Sequence, residues 1–217
     1  MKNLTWQNPE QLFVAQVLIN KVKSKCCGIK VFILLFICLT SICSAQTTEH
    51  MKFKGVPMEG TLQTFTNKLR VKGFTPIGIK EGISVLTGEF AGYKNCTIGA
   101  VADNSGMICK VSVVFPSMDK WGELELCYNS FKSMLTEKYG EPIKSEEFFS
   151  EGYDGDASNK MYGVMFDKYK YYSLFSCKEG DIQLEISHDD VTACYVMLSY
   201  FDNANQNKLR KQIMDDL

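Results

Sequence analysis

The sequence is poor in histidine, tryptophan and proline, with two, two and five of them among 217 residues. Neither His50 nor His188 lies in the spacing of a zinc site, and no cysteines form a CxxC pair. The chain also lacks the GxSxG motif of hydrolases and a glycine-rich phosphate loop. These absences argue against the common catalytic, metal and cofactor sites, so we predict a protein without enzymatic activity and without a bound cofactor.

The chain contains 24 lysines and arginines and 25 aspartates and glutamates, so neither sign of charge dominates. Residues 46–217 carry 19 basic and 24 acidic side chains, which gives a net charge of −5. Nucleic-acid binding requires a basic face. We therefore predict no nucleic-acid partner.

A long apolar run is absent as well. Val31–Leu39 is far shorter than the roughly 20 residues of a membrane-spanning helix. It follows the lysine-rich segment Lys21–Lys30 and precedes the small residues of Ser41–Ala45, which is the order of a secretory signal peptide. We predict cleavage near Ala45, no permanent membrane span, and a mature domain, residues 46–217, that is periplasmic or at the cell surface.

Five cysteines remain after this cleavage, and an odd number leaves at least one thiol without an intramolecular partner. They are Cys96, Cys109, Cys127, Cys177 and Cys194. Most occupy apolar positions, which favours buried thiols. A bridge such as Cys96–Cys109 stays open at this stage, because spacing alone does not establish its geometry.

The mature sequence reads as two successive units, about 53–116 and 117–201, each a helix followed by short strands. Thr61 is the expected N-cap of the first helix, which Gly73 ends. Ser117 or Asp119 is the expected N-cap of the second helix, which runs to Tyr139. Alternating apolar residues and turn signals predict strands near 77–79, 83–86, 96–101, 107–115, 146–150, 161–166, 171–177, 182–188 and 192–201.

This order predicts an α+β fold in one compact domain. Two helix-plus-antiparallel-meander units share one core, with the helices on one face of the sheet and a short C-terminal helix at the end. One helix covers a four-stranded sheet poorly, so joining two units is the more stable arrangement.

Two polar segments are candidate chemical sites. Asp154, Asp156 and Ser158 offer oxygen atoms at alternate positions, as a calcium loop does. However, Asn159 and Met165 occupy the places of the glycine and glutamate of an EF-hand, so a polar hairpin tip is the preferred interpretation. His188 and the two aspartates after it are the other candidate, and we interpret them as a turn at a strand end.

A cluster of aromatic residues on a predicted hairpin is the main candidate for binding. Its members are Tyr162, Phe166, Tyr169, Tyr171, Tyr172 and Phe175. Alternate residues of a strand point to opposite faces, so some of these rings should face solvent and suit a protein partner or a sugar. The tentative contact residues are Tyr162, Tyr169, Tyr171 and Tyr172.

Three capping segments carry a resemblance. The lead-in Phe53–Gly60 and the helix endings Lys72–Phe74 and Lys138–Pro142 resemble those of a group of small exported proteins of Gram-negative gut commensals. The predicted repetition of helix and four strands is also similar to the β-lactamase-inhibitor-protein architecture, whose sheet grips a partner protein. This second likeness is one of topology and implies no site residue.

We therefore expect an exported, non-enzymatic binding module that engages a protein through a sheet face and the aromatic hairpin. The alternatives are a glycan-binding or small-ligand-binding protein and an enzyme of unrecognised type.

Overall fold

The computed structural model describes residues 49–103, 105–150, 160–189, 193–207 and 214. Contacts between Cα atoms divide the chain into Met1–Ala45 and Gln46–Leu217, and every element given below belongs to the second unit. The predicted signal peptide lies outside the described residues. The candidate calcium ligands Asp154, Asp156 and Ser158 lie outside them as well.

The described elements are ten strands and three helices, followed by helical residues 203–207. In chain order they are β1 (Lys52–Phe53), β2 (Val56–Pro57), α1 (Leu62–Val71), β3 (Thr75–Lys80), β4 (Ile83–Phe90), β5 (Tyr93–Ala102), β6 (Ile108–Val114), α2 (Trp121–Tyr139), β7 (Lys144–Phe149), α3 (Lys160–Met165), β8 (Tyr169–Ser176), β9 (Gly180–Asp189) and β10 (Ala193–Asp202).

Eight of these strands form one antiparallel sheet in the order β3-β4-β5-β6-β10-β9-β8-β7. Each of the two predicted helix-plus-meander units, about 53–116 and 117–201, contributes a helix and a four-stranded meander. The last strands of the two meanders, β6 and β10, pair at the centre of the sheet. The predicted α+β fold is thus confirmed. Pairing the final strands removes two exposed edges, and the two meanders become one continuous sheet.

The first helix begins and ends as its sequence predicts. The Thr64 amide donates to the Thr61 hydroxyl at 3.3 Å, which satisfies one of the free N–H groups of the first turn. Gly73 adopts a φ of +96°, and the next residue, Phe74, folds back to donate its amide to the Leu69 carbonyl at 3.2 Å. The buried Phe74 ring anchors this turn in the core.

The start of the second helix differs from the prediction. Lys120 occupies the N-cap position and makes no side-chain cap bond, so neither Ser117 nor Asp119 caps α2. Met118 instead forms an isolated bridge with Cys194, and this bridge holds the segment before the helix against the sheet. Packing therefore sets the start of α2 more than a cap does. The predicted end is confirmed, because Gly140 follows Tyr139 with a φ of +85°.

The sequence predicts a strand at 161–166, but Lys160–Met165 form the helix α3 and Phe166 lies in the turn after it. The valine, tyrosine and phenylalanine of this segment favour a strand locally. In the fold, however, β7 pairs directly with β8, and α3 packs on β8, β9 and β10. Gly163 makes this close packing feasible, since a Cβ there would lie 2.7 Å from the Tyr169 Cβ. Tertiary context thus overrides local propensity.

All three helices pack on the same face of the sheet. The Thr66 hydroxyl of α1 donates to Ser84 on β4, and the Tyr128 hydroxyl of α2 lies 2.6 Å from the Ser173 hydroxyl on β8. The strand registers place both serines on one face. The main core forms between this face and the helices, with Leu124 and Ile98 among its fully buried side chains.

Candidate binding face

The face of the sheet that points away from the helices is called the open face below. The strand registers arrange its central side chains in three rows that cross the strands. The first row is Thr87, Thr97, Val114, Met197, Glu185, Tyr172 and Glu146; the second is Val85, Gly99, Ser112, Ser199, Gln183, Leu174 and Lys144; the third is Ile83, Val101, Lys110, Phe201, Asp181 and Ser176. No described helix covers these rows.

A groove runs through the middle of the open face. Its floor consists of the small residues Gly99, Ser112 and Ser199, and the two serine hydroxyls lie 2.8 Å apart and bond to each other. Larger residues of the first and third rows flank this floor, among them Met197 and Phe201. Because the two hydroxyls bond to each other, neither needs a water molecule as a hydrogen-bond partner. We call this floor and the larger residues beside it the central groove.

Two charged side chains stand opposite one another across the central groove. Glu185 of the first row accepts a 3.0 Å hydrogen bond from the Gln183 amide. Lys110 of the third row lies with its ammonium group 5.1 Å from the centre of the Phe201 ring. Burial raises the pKa of the Glu185 carboxyl and lowers the pKa of the Lys110 ammonium, and their mutual attraction opposes both shifts.

We expect Glu185→Gln to raise the free energy of unfolding at pH 7 by roughly 1 kcal/mol. A carboxyl whose pKa is raised on folding binds its proton more tightly in the folded state. Stability therefore falls as the pH rises from the unfolded pKa through the folded one. Glutamine carries no charge, so the gain should be present at pH 7 and absent near pH 4, as measured by urea denaturation at both values.

Glu146→Gln, on the same face, is the matched control because its shift has the opposite sign. Hydrogen bonds from Lys144 and Tyr172 lower the pKa of the Glu146 carboxyl, so its contribution to stability is present at neutral pH and lost in acid. This variant should lose stability at pH 7. A Glu185→Gln variant that is less stable than the wild type at pH 7 would contradict the assigned burial.

The structure separates the four tyrosines that the sequence suggested as contact residues. Tyr169 and Tyr171 lie on the helix side, with 3% and 9% of their surfaces exposed, so they belong to the core. Their rings contact Trp121 of α2 edge to face. Tyr162 is exposed but lies on α3, not on a hairpin. The assignment of Tyr169 and Tyr171 to a contact surface is therefore corrected, and of the four residues only Tyr172 lies on the open face.

The ring of Tyr172 is held in place by its neighbours. Its hydroxyl donates to the Glu146 carboxylate at 2.6 Å, and the Lys144 ammonium lies 5.4 Å from the ring centre. Phe148, two residues beyond Glu146 on β7, extends this aromatic region to the edge of the sheet with 46% of its surface exposed. These contacts hold the Tyr172 ring in one orientation on the open face.

The other predicted chemical groups do not come together. His188 lies on the helix side, with Nε2 3.6 Å from the Asp167 carboxylate, whereas Glu185 lies on the open face. The five cysteines are present as free thiols, so the Cys96–Cys109 bridge is not formed. Burial raises the pKa of these thiols, to about 11 for Cys194, and leaves them protonated at neutral pH.

The part of the chain that the structure describes offers few other candidate sites. No group of three or more histidine, cysteine and carboxylate side chains is positioned to hold a metal ion there. None of the helices among those residues has the length and apolar character needed to span a bilayer. A shallow pocket of about 190 Å³ lies beside His50 and Tyr139, away from the open face.

Sequence reasoning missed most of the central groove. Gly99, Lys110, Met197 and Phe201 all lie on predicted strands, at positions that alternate with the buried residues of the same strands. That alternation was the available signal. It could not show which of the two faces the described helices would cover.

Comparison of the chain with protein-family models, with curated proteins and with solved structures finds no match.

Proposed function

We propose that residues 46–217 form an exported, non-enzymatic module that binds another protein through the open face. The observation that carries this proposal is an eight-stranded sheet whose second face bears an apolar and aromatic groove with no described helix over it. Val114, Phe201 and Tyr172 are half-buried on this face, and apolar and aromatic side chains of this kind are common at interaction sites.

The dimensions of the open face favour a protein over a small molecule. Eight strands at their usual spacing span about 35 Å, which is the scale of a protein–protein interface. The resemblance to the β-lactamase-inhibitor-protein architecture agrees with this choice, as an analogy of topology.

The composition of the open face resembles the centre of an interface. Phe201 is half-buried and supplies apolar contact area, whereas Met197 is only 3% exposed and supports the face from within. Lys110 and Glu185 supply charges that are already partly desolvated. Partly desolvated charges favour a partner that places opposite charges against them and disfavour other proteins. Tyr172 adds a rigid aromatic ring at the side of the groove.

A glycan is the second candidate, since exposed aromatic rings also stack on sugars. Among the described residues of the open face, Phe148 is such an exposed ring, but Lys144 and Glu146 already engage Tyr172. The exposed rings of Tyr162 and Phe166 lie at α3, not on this face. A continuous stacking platform of several rings is therefore not formed by these residues. We favour the protein partner on this ground.

The test is a substitution that fills the central groove without disturbing the fold. A Cβ at Gly99 would meet no atom within 4 Å, so Gly99→Trp should fold and place its ring on the floor of the groove. Gly122→Trp is the matched control, because Gly122 is equally open but lies on α2. Tagged residues 46–217 of each variant and of the wild type are used to capture proteins from periplasmic and outer-membrane extracts of the source organism.

We expect a protein that the wild type and Gly122→Trp capture in equal amount and that Gly99→Trp captures at least about tenfold less, as measured by quantitative mass spectrometry. Capture that Gly99→Trp leaves unchanged would show that the open face is not the site. If no protein is captured and a glycan array gives a signal that depends on Gly99, the glycan candidate replaces the protein.

A further inference from the structure

We propose that two copies of the domain associate edge to edge through β7, antiparallel and with the two Ser145 residues at a twofold axis. The pairing joins two eight-stranded sheets into one. It uses the edge of the sheet and leaves the central groove accessible, so it does not depend on the proposed function.

The two edges of the sheet differ in their capacity to pair. At one edge, β3 contains Pro76, which has no N–H group, and a bulge between Pro76 and Gly78. Both features prevent a regular ladder on the outer side. At the other edge, β7 pairs with β8 over all six of its residues without a bulge or a proline. Only β7 therefore presents a regular edge, and association through it ends at a closed dimer.

The outward backbone groups of β7 can be assigned from its ladder. The Ser150 amide donates to the Lys168 carbonyl at 2.7 Å, which places the even-numbered residues in the hydrogen-bonded positions with β8. The N–H and C=O groups of the odd-numbered residues, Ser145 and Glu147 among them, therefore point outward. No described strand accepts them. A twofold axis at Ser145 pairs its N–H and C=O with those of the second copy.

Charge selects this register. An axis at Ser145 places Lys144 opposite Glu146 of the second copy, and this happens twice by symmetry. An axis at Glu146 would place two glutamates opposite each other, and an axis at Lys144 would do the same with two lysines. Opposite charges across a strand pair stabilise it and like charges destabilise it. Lys144 and Glu146 already form a 2.7 Å ion pair within the strand, so the dimer would contain a group of four charges in which each charge has opposite charges as neighbours.

Apolar side chains support the same register. In this register the regular ladder between the copies covers Lys144–Glu146, because the Ile143 amide already donates to the Leu174 carbonyl at 2.8 Å. Phe148, with 46% of its surface exposed, then lies beside the segment that precedes β7 of the second copy. An exposed ring beside the unpaired edge gains cover from the association. The dimer thus combines backbone hydrogen bonds, two pairs of opposite charges and two covered rings.

The test is a charge exchange. Sedimentation equilibrium on residues 46–217 at about 5–500 µM should reveal a monomer–dimer equilibrium. This concentration range suits the weak association expected of a small interface. Lys144→Glu alone, or Glu146→Lys alone, places like charges opposite each other at both positions and should raise the dissociation constant at least about tenfold. The double variant Lys144→Glu/Glu146→Lys restores opposite charges and should return it to within about threefold of the wild type.

Lys80→Glu, a charge reversal on the other edge strand, is the matched control and should leave the dissociation constant unchanged. A wild type that stays monomeric up to about 500 µM would overturn the proposal, as would a dimer that the single exchanges do not weaken or the double exchange does not restore. Capture by the Gly99→Trp variant is measured separately, so failure of the dimer leaves the proposed function standing.

Discussion

Asp202→Ala should lower the free energy of unfolding by about 3–5 kcal/mol. The Asp202 carboxylate is fully buried and accepts hydrogen bonds from the amides of Met51 at 2.6 Å and Asn205 at 2.9 Å. Its second oxygen also lies 3.0 Å from Nδ1 of His50. Alanine would leave the amides of Met51 and Asn205 buried without partners, and each unsatisfied group costs roughly 1–3 kcal/mol.

The loss should be large because Asp202 connects distant parts of the chain. It joins the segment before β1 to the end of β10, and the Asn205 side chain continues the connection to the carbonyls of Met58 and Ile108. Urea denaturation measures the effect. Asp181→Ala is the control, because the hydrogen bond that its carboxylate accepts among the described residues comes from Ser176 and is exposed. A loss below about 1 kcal/mol for Asp202→Ala would show that the connection is dispensable.

Tyr171→Ala should cost about 3–4 kcal/mol, whereas Tyr172→Ala should cost less than about 1.5 kcal/mol. The Tyr171 ring is buried between the sheet and α2, with ring centres 4.5 Å from Tyr128 and 5.7 Å from Trp121. This burial raises the pKa of Tyr171 to about 12. Truncation removes the ring and leaves a cavity.

The same two variants separate stability from binding, as measured by thermal denaturation and by capture of the partner. Tyr172 lies half-buried on the open face. Its truncation should therefore weaken the binding of the partner while the domain stays folded. Equal destabilisation by the two substitutions would contradict the assignment of the two faces.

The succession of helices and strands could be predicted because its signals are local. Period-two patterns predicted the meanders, and Thr61, Gly73 and Gly140 marked helix ends where the structure has them. The helix α3 could not be predicted, since its residues favour a strand and only its packing on β8 makes it helical.

The candidate site was predicted less well for a geometric reason. Alternation shows that Tyr171 and Tyr172 point to opposite faces, but not which face the helices cover. That choice depends on contacts such as Tyr128 with Ser173, which are 45 residues apart. The pairing of β6 with β10 is also long-range, and it creates the floor of the central groove by placing Ser112 opposite Ser199.

The measurement that tests the central claim most directly is the affinity of the captured partner, once purified, for the Gly99→Trp and Gly122→Trp variants by isothermal titration calorimetry. The account predicts that Gly99→Trp binds at least about tenfold more weakly, while Gly122→Trp binds as the wild type does. Equal affinities for the two variants, with both folded, would contradict a binding site on the open face.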